Sequence, residues 1–169
     1  LQDAYMNYFS ILGSRTLGGY GGKFIICGPD YHGIIPSGYT RVDSPTPLVW
    51  MLMRIAPTYV NNQEVEICRK LQAQVTITPL SQQKNNAYNP ATYNSKLDLG
   101  VPDVSKEPLT FFEIADRYMQ INPPPRGEEA LLALFRQIGF SPDVDFNAAT
   151  LTAPQRSGLH RAMEAGKEM

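Results

Sequence analysis

At 169 residues the chain is long enough for one hydrophobic core and a small satellite. Hydrophobic residues make up 43% and charged residues 18%, the balance of an ordinary globular protein. A net charge of -1 leaves no basic face to neutralise phosphates, which excludes a nucleic-acid reader of the usual kind.

Cys27 and Cys68 stand far apart in sequence with no C-x-x-C pattern and no neighbouring histidine. That argues for two free thiols rather than a zinc site, while a disulfide would require an oxidising compartment. No apolar run reaches the ~18 residues needed to cross a bilayer, and no basic leader opens the chain. Leu1-Gln-Asp-Ala-Tyr5 reads as the inside of an element already under way, so the chain is expected to be a fragment of something longer.

Leu1, Tyr5, Tyr8, Phe9 and Leu12 fit a helical face, but the Tyr and Phe content, the Ile11-Leu12 end and the glycines after it favour a strand over residues 1–12. Lys23-Phe-Ile-Ile-Cys27, stopped by Gly28-Pro29, predicts a buried strand. The glycines of Leu17–Gly22 would then form a hairpin connection between the two. Turns at Gly28-Pro-Asp30 and Pro36-Ser-Gly38 leave at most a brief strand over Tyr31–Ile35. A further strand follows over Gly38–Asp43, until Ser44-Pro-Thr-Pro47 interrupts it.

Leu48-Val-Trp-Met-Leu-Met-Arg-Ile55 is apolar almost throughout, as a central strand buried on both faces would be. Val65, Cys68 and Leu71 then recur at helical spacing, predicting a surface helix capped by Asn62. Ala73-Gln-Val-Thr-Ile-Thr78 alternates and predicts one more strand. Residues 81–109 are polar and aperiodic, an extended connection.

Helices follow. Thr110-Phe-Phe-Glu113 has the form of a capping box, with Phe111, Ile114, Tyr118 and Ile121 on the apolar face until Pro123-Pro-Pro125. Glu128–Ile138 predicts a second helix, with Leu131, Leu132, Leu134, Phe135 and Ile138 inward and Gly139 closing it. Thr152-Ala-Pro154 begins a third, running toward Gly166 with Leu159 and Met163 as its apolar stripe. The expected fold class is α+β: a β-rich half with a sandwich-like sheet over 1–80, the connection 81–109, and a three-helix section over 110–169.

The glycine-rich Gly18-Gly-Tyr-Gly-Gly-Lys23 does not satisfy the phosphate-loop pattern. Leu17 stands where the first glycine belongs, Phe24 follows the lysine, and a strand replaces the helix that should receive the phosphate. His32 could act as a general base oriented by Asp30, but no nucleophile is paired with it in sequence. His160, beside Arg161 on the last helix, reads as solvent-facing. Neither a metal nor another cofactor is expected from this set.

Arg15, Arg41 and Arg54 lie beside apolar segments, where a guanidinium needs a specific partner. They could clamp a carboxylate, phosphate or sugar hydroxyl, or pair with Asp3, Asp43 or carbonyls at strand ends. Tyr5, Tyr8, Tyr20, Tyr31, Tyr39 and Trp50 could stack on flat ligands or pack the core. Tyr5, Arg15, Tyr20 and Arg54 are the candidate ligand-binding residues. No catalytic residue is assigned.

Asp3-Ala-Tyr-Met-Asn7, Phe9-Ser-Ile-Leu-Gly-Ser-Arg-Thr16 and Gly22-Lys-Phe-Ile-Ile-Cys-Gly-Pro29 resemble the bacterial domain of unknown function 1254 family. Ser44-Pro-Thr46, Arg54, Leu71-Gln72, Thr78-Pro-Leu-Ser81, Phe111-Phe112, Asn122-Pro-Pro-Pro125 and Ile138-Gly139 extend the resemblance in order along the chain. It implies a β-containing domain with a helical section, normally followed by a β-sandwich-like domain of unknown function 1214, in proteins that often carry export signals. A periplasmic or secreted setting would follow, and no activity is implied.

Members normally have further strands before the position of Leu1. Another chain or a further segment of the same protein is therefore expected to complete the sheet, making an oligomer the expected state. Three functional readings result: a binding or interaction module for a polar small molecule or glycan, part of a hydrolase with its site at the companion domain, or a structural assembly subunit.

Overall fold

The computed structural model describes residues 1–59, 61–82 and 107–168. The chain divides into two units, Leu1–Tyr93 and Asn94–Met169. Most of the expected connection over 81–109 lies outside the described residues.

In the first unit, β1 (Phe24–Cys27) and β2 (Thr40–Asp43) form a two-stranded sheet. It is parallel, with Phe24 opposite Thr40 and Cys27 opposite Asp43. A parallel pair cannot be closed by a two-residue turn and needs a crossover of about a dozen residues. Residues 28–39 supply it without a helix. Tyr31 N–H donates to the Gly28 carbonyl at 3.1 Å, and Tyr39 N–H to that of Pro36 at 3.2 Å. Gly38 takes φ +84° at the third position of the second turn, where a side chain would be strained. Ile25 and Cys27 are buried while Ile26 is exposed, so β1 covers the core with one face only.

The expected strand over residues 1–12 is replaced by a tight loop. Gln2 and Trp50 exchange backbone bonds at 2.8 and 2.9 Å, but Asp3 then diverts the chain. Its Oδ1 accepts from the N–H groups of Tyr5 and Asn7, both at 2.9 Å, and its carbonyl accepts from Met6 N–H at 3.0 Å. A short carboxylate that captures local N–H groups competes directly with ladder formation. Met6 accordingly sits at φ +64°.

With no strand there, Leu17–Gly22 is not a hairpin connection. Leu17 N–H donates to the Gly13 carbonyl at 2.9 Å, and Gly18 and Gly19 at positive φ end this short turn. No strand forms over Tyr31–Ile35 either.

Two other predicted strands are also absent. Apart from the bridge at Trp50, Val49–Ile55 has no ladder partner among the described residues. Ala73–Thr78 loses Ala73 to α1 (Asn62–Ala73), and the rest makes no ladder. Composition reports what a segment can bury, whereas a strand also needs a neighbour to bond. The sandwich-like sheet is thus reduced, among the described residues, to the β1–β2 pair. α1 is capped by Asn61, one residue earlier than expected, whose side chain accepts from Glu64 N–H at 2.9 Å. It buries none of its residues.

The second unit holds α2 (Thr110–Ile121), α3 (Glu129–Arg136) and α4 (Ala153–Lys167). The capping box expected at Thr110 does not form. Thr110 is already inside the helix, and its hydroxyl donates to Glu107 at 3.2 Å. A box forms instead on α4, between Thr152 and Gln155.

Phe112, Phe135, Phe140 and Phe146 make an aromatic cluster with centroids 5.7–6.2 Å apart. Phe111, Leu131 and Leu134, expected inward, are exposed, while Leu132, Phe135 and Ile138 are half-buried. An eight-residue helix can turn only one stripe to a core. Asp116 on α2 is 2% exposed. Its Oδ2 accepts from Phe146 N–H at 2.8 Å and from the Gln120 amide at 2.9 Å, while Oδ1 has no partner among the described residues.

Asp116→Ala would leave the Phe146 N–H buried without an acceptor, which costs about 1–3 kcal/mol. Asp116→Asn keeps an acceptor oxygen and should cost less. Urea titrations of both variants check this, and equal losses would refute the assigned role.

Candidate functional site

The polar side chains buried most deeply in the first unit are structural. Thr46, 1% exposed, accepts from Ala4 N–H at 3.0 Å through its hydroxyl and donates to the Leu48 carbonyl at 2.7 Å. Ser44 donates to the Thr46 carbonyl at 2.7 Å, and its own N–H donates to the Cys27 carbonyl at 2.7 Å. Asp3, also buried, spends its carboxylate on Tyr5 and Asn7 rather than on an arginine. These side chains have their capacity consumed by backbone, so they hold the loop, the sheet and the 48–50 segment in register.

A shallow hollow of about 470 Å³ opens beside β1. Ile25, Ile26 and Cys27 contribute to it, with Asp30, His32, Pro47 and Leu80. Its wall is braced by Arg41. The guanidinium bonds Asp43 at 2.6 Å and the Tyr31 carbonyl at 2.8 Å, and lies 5.7 Å from the Tyr31 ring centroid. Arg41 therefore takes the strand-end pairing expected for it, and the bond to Asp43 raises its pKa further above the ordinary arginine value.

Cys27 faces a buried environment that raises its thiol pKa, with Arg41 opposing and Asp43 reinforcing the shift. A neutral, 2% exposed thiol is a small hydrophobe rather than a nucleophile. Cys27 and Cys68 are both free. His32 and Asp30 are exposed on the crossover, and no hydrogen bond joins them. Among the described residues no group of three acidic, histidine or cysteine side chains could hold a metal ion.

The four candidate ligand-binding residues sit in different settings. Tyr5 is half-buried in the Asp3 loop, where burial, and then the Asp3 charge, push its pKa up to about 12. Tyr20, 81% exposed, follows the glycine turn. Arg15 within that turn and Arg54 beyond the apolar run are exposed. Among the described residues, no hydrogen bond, ion pair or ring contact joins Arg15, Tyr20 and Arg54 to one another.

What sequence reasoning missed is the buried Asp3–Ser44–Thr46 set. Its signal was present: Asp, Ser and Thr followed by positions where a backbone N–H needs an acceptor.

Residues 1–79 match the family described as Protein of unknown function (DUF1254). They belong to it. The DUF1254 span contains the Asp3–Asn7, Gly22–Pro29 and Ser44–Thr46 motifs, whereas Phe111-Phe112, Asn122–Pro125 and Ile138-Gly139 lie beyond it. No curated protein and no solved structure matches the chain. No helix among the described residues is long and apolar enough to cross a membrane. Within the DUF1254 span, the Asp3 and Ser44–Thr46 motifs are thus accounted for by hydrogen bonding that builds the fold.

The raised pKa of Tyr5 has a stability consequence. The folded state holds the phenol proton above pH 10, where the unfolded chain releases it. The contribution is therefore full below about pH 10 and is lost as pH rises toward about 12. In urea midpoints measured across this window, Tyr5→Phe should fall less steeply than the parent. Parallel curves would show that Tyr5 does not titrate differently in the fold.

Proposed function

We propose that the DUF1254 segment is an interaction module whose Leu48–Met53 run is covered by another polypeptide in the working assembly. One observation carries this reading. Leu48, Trp50, Met51, Leu52 and Met53 are each 38–49% exposed, in a stretch whose composition belongs inside a protein. Scattered exposed apolar side chains need no explanation, but a contiguous set marks a contact surface.

The reading is tested by Leu52→Asp. An exposed position outside the chain's own core tolerates the change within about 0.5 kcal/mol when unfolding is measured on the dilute monomer. A loss above about 2 kcal/mol would place Leu52 in an internal core and sink the proposal.

A second reading, binding of a polar small molecule or glycan, draws support from Tyr20, Arg15 and Arg54. Their exposed ring and guanidinium groups suit stacking on a sugar face and bidentate bonding to an acid. Tyr5 would contribute a half-buried phenol. Thermal-shift screening with sugars and organic acids tests it. A compound that raises the midpoint of the parent chain and has no effect on Arg15→Ala or Arg54→Ala supports this reading. The absence of any shift from the whole panel counts against it.

A further inference from the structure

The manner of covering can be taken further, on the interaction reading above. Trp50 turns both its N–H and its carbonyl toward Gln2. In an antiparallel pairing, backbone groups alternate between the two edges, so those of Met51, next to the bridge, point away from Gln2. Among the described residues, no backbone hydrogen bond is made by any residue from Met51 to Ala56. The segment is a largely apolar run outside any ladder, with Met51, Leu52 and Met53 exposed.

A second bare segment lies in the same unit. Thr76, Ile77 and Thr78 make no backbone hydrogen bond among the described residues. Val75 and Ile77 alternate with threonines, and Ile77 is 75% exposed. The threonines and branched apolar residues suit a strand with one apolar face. Neither segment carries an acidic residue, and Arg54 is the one charge between them, so nothing opposes their meeting. Each offers what the other lacks.

We infer that two copies of this chain associate by strand addition, Val75–Thr78 of one copy pairing with Met51–Ile55 of the other. A two-fold axis repeats the contact, so all four bare segments are paired at once. The area is of the right order. Leu48, Trp50, Met51, Leu52, Met53, Val75 and Ile77 are exposed by 38–75% each. At about 200 Å² for a large side chain, they present on the order of 600 Å² per copy. A standard stable interface buries about 800 Å² per partner, backbone and polar rim included. The apolar set thus provides most of what a dimer needs.

Sedimentation equilibrium on the full chain tests this, with acrylamide quenching of Trp50, the single tryptophan, as a second readout. A monomer–dimer equilibrium is expected, with Trp50 shielded in the dimer and quenched freely on dilution. Met51→Lys and Ile77→Asp, both at exposed positions, should each weaken dimerisation at least tenfold, with circular dichroism reporting that the monomer stays folded. Tyr20→Ala should leave the dimer unchanged.

A chain that remains monomeric near 100 µM, roughly a hundredfold above an ordinary micromolar Kd, with Trp50 freely quenched, overturns the second-copy inference and leaves the interaction reading standing. Monomers with Trp50 shielded at every dilution overturn both, because the run is then covered within its own chain. A dimer indifferent to both substitutions overturns the pairing assigned here.

Discussion

The first unit hangs on the hydroxyl of Thr46. One oxygen accepts from Ala4 across 42 positions of sequence and donates to Leu48, so it ties the opening loop to the entrance of the apolar run. Ser44 ties the same corner to the end of β1 through its N–H. A parallel pair of four-residue strands has too few ladder bonds to hold itself together, and two-stranded sheets are marginal in water. Buried side-chain bonds to backbone therefore carry more of the architecture than the sheet does. That explains why Ser44-Pro-Thr46 and Asp3–Asn7 stand out in the sequence without any reactive group beside them.

The second unit solves the same problem with a carboxyl group. Asp116 anchors the Phe146 N–H beneath a ring cluster, joining α2 to the segment after α3. In each unit a short polar side chain, buried and bonded to backbone, organises a small apolar core. Such bonds are worth most where water is excluded, because the alternative is an unpaired group in a low-dielectric interior. Activity need not be invoked for either Asp3 or Asp116.

Exposure of the Leu48–Met53 run has the opposite character. Among the described residues, β1 pairs with β2, Gln2 bridges Trp50 and Asp3 is committed to its own loop, so the run has a strand neighbour only at Trp50. An apolar run bridged at a single residue is the observation that motivates the interaction reading proposed for this segment.

The sequence by itself determined the punctuation and the local elements. Pro123–Pro125 ends α2, Thr152 caps α4, and the Phe24–Cys27 and Thr40–Asp43 strands fall within their predicted runs, whereas α3 stops at Arg136, two residues short of the expected Ile138, with Gly139 at φ +76° in the turn beyond it. These depend on φ restrictions and side chains acting within a few residues, which a linear reading can weigh. Only the tertiary structure decided that β1 and β2 run parallel and that Asp3 breaks the first predicted strand. Among the described residues it also left 51–55 and 76–78 without a strand neighbour, and it turned Arg41 toward Asp43 and the Tyr31 carbonyl. Each of these turns on which distant group is present to accept or donate a bond, and periodicity carries no record of that.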